Sequence, residues 1–123
     1  MNIDRIRQVA IAAPDIEVAI AFYRDLLGAR LMASFNPPGL AFFDFSGVRL
    51  LLDVNAPKSL VYFGVDDIDA AYRELMDRGI AFKGEPHMIF KDDAGTFGTA
   101  GEGEWMAFFE DPAGNTLAIA GRK

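Results

Sequence analysis

The sequence predicts an α+β fold in which two tandem units, each a strand, a helix and three further strands (βαβββ), form a curved mixed sheet around a cleft. Three observations carry that expectation. The chain has 123 residues, 51% of them hydrophobic, which is enough apolar surface for one domain core and too little length for two independent domains. A helix-start pair, Asp15-Ile16, recurs as Asp67-Ile68, and each is followed by a helix-stop glycine, Gly28 and Gly79. The unit ends repeat too: Phe42-Phe43 and Gly47 with VRLLL match Phe108-Phe109 and Gly114 with NTLAI. A supersecondary unit used twice in this way cannot bury its apolar face alone.

The first unit, about residues 5–55 of a single domain spanning 1–123, opens with IRQVAIAA, whose run of small and β-branched residues predicts a strand covered on both faces. Pro14 and Asp15 start a helix whose apolar stripe is Ile16, Ala19, Ile20, Tyr23, Leu26 and Leu27, and Gly28 supplies a left-handed stop. Strands ARLMASF, LAFFDF and VRLLLDV follow, parted by turns at Asn36-Pro37-Pro38-Gly39 and Ser46-Gly47. The second unit, about 59–121, begins with the strand SLVYFGV. Its helix, DDIDAAYRELMDR, carries the stripe Ile68, Ala71, Tyr72, Leu75 and Met76, and a short strand, IAF, comes next. Between Gly84 and Gly103 the composition is rich in Gly, Asp and Thr, which predicts a long mobile loop with no strand of its own. Phe90 and Phe97 make that loop a candidate lid. Strands EWMAFFE and NTLAIA, joined at Asp111-Pro112-Ala113-Gly114, close the chain.

Composition narrows the function classes. The absence of cysteine removes disulfides, zinc-thiolate sites and thiol nucleophiles together. A net charge of −6 repels a phosphate backbone, so no nucleic-acid partner is expected. No apolar run nears the roughly 20 residues that span a bilayer, and MNIDRIRQ lacks an export pattern, so no membrane partner and a cytoplasmic location are expected.

The segments FYRDLLGARL and FFEDPAGNTLAIA, at this separation around a repeat, resemble the vicinal oxygen chelate (VOC) superfamily over about Ile6 to Ala120. That superfamily includes glyoxalase I, bleomycin-resistance proteins and extradiol dioxygenases. The resemblance implies the glyoxalase/bleomycin resistance fold, a homodimer and, if the protein is an enzyme, lyase, isomerase or dioxygenase-like chemistry. Metal enzymes of the superfamily draw ligands from the first and last strand of each unit, and the matching positions here hold Gln8, Leu51, Leu60 and Ala118. One neutral amide among three aliphatic side chains cannot retain an ion that wants about four to six donors, so no metal and no other cofactor is expected. Without an ion, chelation of an enediolate or of dioxygen loses its electrophile.

Strand alternation turns Gln8, Ala10, Ala12, Arg49, Leu51, Asp53, Leu60, Tyr62, Gly64, Thr116, Ala118 and Ala120 toward the cleft. The resemblance adds Phe108 as a pocket-lining residue, and alternation puts Met106 on its side. Arg49 and Asp53 are expected to form a salt bridge across the mouth or, alternatively, to bind a polar ligand end. His87, the only histidine, is the candidate general acid or base, although a lone histidine without an orienting carboxylate is more often structural. The preferred expectation is therefore a metal-free protein that binds a small hydrophobic or aromatic molecule through Gln8, Arg49, Leu51, Asp53, Leu60, Tyr62, Met106, Phe108 and Ala118. The alternative is an enzyme that uses His87, or that has relocated metal ligands such as His87, Asp53 and Glu104.

Overall fold

A computed structural model describes every residue from Met1 to Lys123, in two compact units. Met1–Ser59 with Asp111–Asn115 form the first, and Leu60–Glu110 with Thr116–Lys123 form the second. No helix is long and apolar enough to cross a membrane.

In the first unit β1 (Gln8–Ala12), β2 (Arg30–Phe35), β3 (Leu40–Phe45) and β4 (Val48–Asp53) build a four-stranded sheet in the order β1-β4-β3-β2. β1 runs parallel to β4, and the other pairs are antiparallel. Helix α1 (Ile16–Ala21) begins where the Asp15 carboxylate accepts a hydrogen bond from Val18 N at 3.2 Å, satisfying an otherwise orphaned donor. Its predicted continuation to Leu27 is a π-helical turn, Phe22–Leu26, and Gly28 ends it at φ +71°. Ile16, Ala19, Ile20 and Tyr23 form the buried side of the helix, and Ile11, Ala41, Phe43, Leu50 and Leu52 the buried side of the sheet. The first strand is not covered on both faces as predicted. β1 lies at the edge of its sheet, and Gln8, Val9 and Ala10 are exposed.

The Asp111–Asn115 turn belongs by its contacts to this unit, where its polar side chains are buried. Tyr23 Oη donates to Asp111 Oδ2 at 2.6 Å, and Asn115 Nδ2 donates to the same oxygen and to Ala12 O. Asp111 Oδ1 accepts from the backbone of Ala113 and Asn115, and Asn115 Oδ1 accepts from Ser59 N. Burial, then the bond to Asp111, pushes the Tyr23 phenol far above its ordinary pKa, which favours the protonated, donating form.

The second unit repeats the plan with β5 (Leu60–Gly64), α2 (Ile68–Asp77), β6 (His87–Lys91), β7 (Gly103–Glu110) and β8 (Thr116–Arg122), in the sheet order β5-β8-β7-β6. Asp67 caps α2 through Ala70 N at 3.0 Å, and Gly79 follows its end at φ +100°. Two expectations are corrected here. The IAF segment is not a strand: Ile80 is buried from irregular backbone, and the segment ends where Lys83 N donates to Phe108 O. The Gly84–Gly103 stretch, predicted to hold no strand, contains β6, which pairs antiparallel with β7 around a bulge between Met88 and Phe90. Its remainder folds around Asp92, whose carboxylate accepts from Thr96 N at 2.8 Å and Phe97 N at 2.9 Å and pairs with Arg122 at 2.9 Å. The glycines supply the bends, and one buried carboxylate gathers the donors that those bends release.

Candidate functional site

A helix covers only one face of each sheet, so the side chains of the opposite face are left for something else. In the second sheet the register sets Tyr62 beside Ala118 and Ala118 beside Phe108, with Gly64, Ala120 and Met106 in the next row. His87 on β6 pairs with Met106 and so joins that row. The Tyr62 and Phe108 rings meet edge to face with centroids 6.3 Å apart, and His87 lies 6.2 Å from Phe108 on the other side. Ala118, between the two aromatic strand positions, is fully buried, whereas Tyr62 stays 50% exposed and Leu60 48%. A Cβ added at Gly64 would meet no atom within 4 Å, so space stands open over that end of the floor. The result is an apolar recess with a small-residue floor, aromatic walls and a flexible thioether.

His87 lies at the recess edge. Its Nδ1 is 3.4 Å from Glu85 O, no carboxylate orients the ring, and its other nitrogen has no partner in the unit. Beyond Met106 the same face turns polar. Arg122 there bonds Glu104 and Asp92 and also donates to Thr99 O, which holds the 92–102 turn against β8. Sequence reasoning did not find Arg122, because its significance depends on the strand pairing that brings Glu104 opposite it.

On the first sheet the open face carries Gln8 and Arg49 in one row, Ala10, Leu51 and Phe42 in the next, and Ala12, Asp53 and Leu40 in the third. Arg49 Nε donates to Gln8 Oε1 at 2.9 Å. The expected Arg49–Asp53 salt bridge is absent, for a geometric reason: four residues along a strand separate side chains by roughly 13 Å. Asp53 instead accepts from Asn55 N at 2.8 Å. Phe42, which shares this face with Leu51, was not singled out in the sequence because Phe42-Phe43 fits either register. Leu51 and Ala118 are both buried and act as floor rather than as projecting groups.

These residues do not suit a divalent ion. The acceptor atom of Gln8 is engaged by Arg49, Leu51, Leu60 and Ala118 offer no donor atoms, and within each unit no group of three His, Asp or Glu side chains is placed to hold an ion, the carboxylates of Asp92, Glu102 and Glu104 being gathered on Arg122 instead. Of the alternative ligands, Asp53 caps a turn and Glu104 holds Arg122.

The family model for the Glyoxalase/Bleomycin resistance protein/Dioxygenase superfamily matches residues 5–119. Among solved structures, the chain is similar to a lactoylglutathione lyase from Agrobacterium tumefaciens, with 22% identity, a TM-score of 0.75, and 95% of this chain and 92% of that one covered. It is also similar to a virulence protein from Salmonella typhimurium, with 22% identity, a TM-score of 0.75, and 98% of each chain covered. A glyoxalase/bleomycin resistance protein/dioxygenase from Alicyclobacillus acidocaldarius has 24% identity and a TM-score of 0.70 over 98% of this chain and 92% of that one. No curated protein matches. At these identities the solved structures speak for the fold, and the family model speaks for kinship: the chain belongs to the Glyoxalase/Bleomycin resistance protein/Dioxygenase superfamily.

Proposed function

We propose that this protein binds a small hydrophobic or aromatic molecule on the open face of its second sheet, without a metal ion. The observation that carries this reading is the Tyr62–Phe108 pair standing beside the small floor of Ala118, Ala120 and Gly64. A flat apolar ligand gains contact with both rings there, and Met106 adapts to its outline. Titration with the neutral fluorescent probe N-phenyl-1-naphthylamine tests it. Saturable binding is expected, weakened about tenfold by Tyr62→Ala and by Gly64→Leu, which fills the open space. Equal affinity in both variants, with unchanged melting temperatures, contradicts it.

One observation favours a second reading, that of a metal-independent lyase or isomerase: the single imidazole has an unpartnered nitrogen at the recess edge. In that case His87→Gln abolishes turnover and leaves probe affinity unchanged. We also propose a homodimer, supported by the exposed Met88, Ile89 and Phe90 of β6 at a sheet edge.

A further inference from the structure

The first sheet presents a different chemistry, set by which atoms of Gln8 and Arg49 are already engaged. A guanidinium has only donors, so the Gln8 atom facing Arg49 Nε must be its oxygen, as the 2.9 Å contact has it. That bond uses one lone pair of the Gln8 oxygen and one of the five N–H groups of Arg49. What remains on the pair is mostly donors: the Gln8 amide NH2 and both terminal nitrogens of Arg49, none of which has a protein partner, against one lone pair of the Gln8 oxygen.

The carboxylate opposite Arg49 in the register is Asp44. Its Oδ1 accepts from Gly47 N at 3.0 Å, and its Oδ2 pairs with Arg30 at 3.6 Å. Across the row Arg30, Asp44 and Arg49 sum to one positive charge, in a chain whose net charge is −6. The neighbouring row is apolar, with Ala10, Leu51 and Phe42 in register.

We propose that Gln8 and Arg49 form a carboxylate-recognition pair, and that the open face of the first sheet takes an amphipathic monocarboxylic acid. Its carboxylate accepts from the Arg49 fork and the Gln8 amide, and its apolar body lies along Ala10, Leu51 and Phe42. A planar guanidinium held at Nε is oriented to give two parallel hydrogen bonds to a carboxylate. A net charge of one positive unit along that row, within an acidic chain, suits a monoanion better than a phosphate dianion.

Two ligands of one shape test this: 2-naphthoate and its neutral analogue 2-naphthamide, with side-chain resonances of 15N-labelled protein as the readout. Naphthoate is expected to bind about tenfold more tightly than the amide and to shift Arg49 Nε–H and the Gln8 NH2. Arg49→Met should erase that preference while retaining amide binding, and Arg49→Lys, which keeps the charge without the fork, should restore only part of it. Equal affinities for the two ligands, no naphthoate binding, or a preference that survives Arg49→Met overturns the proposal. The second-sheet reading is scored separately, because its probe carries no carboxylate and its variants, Tyr62→Ala and Gly64→Leu, leave Gln8 and Arg49 unchanged.

Discussion

Asp111 shows what a residue type conceals when it is read from sequence. Asp-Pro-Ala-Gly-Asn is legible as a tight turn, and the turn forms with Gly114 at φ +83°. Nothing in those letters says that Asp111 and Asn115 are buried, since both residue types are ordinarily exposed and only the tertiary partner Tyr23 makes burial tolerable. Tyr23→Phe removes one donor and leaves Asp111 Oδ2 with the Asn115 bond, so a loss of about 1–2 kcal/mol is expected in urea unfolding. Asn115→Ala strands Ala12 O and Ser59 N as well and should cost more. An Asn115→Ala loss no larger than that of Tyr23→Phe contradicts this account of the network. Arg49 teaches the same lesson: alternation puts it on the Leu51 side of the strand, but its partner is Gln8 across the ladder rather than Asp53 along the strand.

Among the elements, both helices and seven of the eight strands were legible, because capping aspartates, stop glycines and apolar runs act over short distances. β6 was not. Its apolar core, Met88-Ile89-Phe90, does not alternate, and the glycines that follow it mask it as a loop. The turn after β6 depends on Asp92. The Phe97 N–H, then the Thr96 N–H and the Arg122 guanidinium, hold its carboxyl below the ordinary carboxylate pKa, against burial, which pushes the other way. A depressed folded-state pKa stabilises the turn at all pH values above the unfolded-state value, and that stabilisation is lost as pH falls through the lowered one. Hydrogen-exchange protection at Thr96 and Phe97 should therefore collapse in acid, and Asp92→Asn should lower it already at neutral pH. Unchanged protection in that variant refutes the role given to Asp92.

The whole molecule was legible as a repeat, because Asp15 and Asp67, with Gly47 and Gly114, mark equivalent points of two sequence repeats, although the turn that holds Gly114 packs with the first unit. Ligand identity was not, since a recess is defined by facing strands and small floor residues rather than by any motif. Light scattering at tens of micromolar should return the mass of two chains, and a monomer at that concentration contradicts the proposed dimer. The central claim is that the second-sheet recess binds an apolar molecule without an ion. Calorimetric titration of N-phenyl-1-naphthylamine into chelator-treated protein, with and without added zinc or nickel, tests it most directly. The same Kd in both titrations is the predicted result, and binding that appears only after metal is added contradicts it.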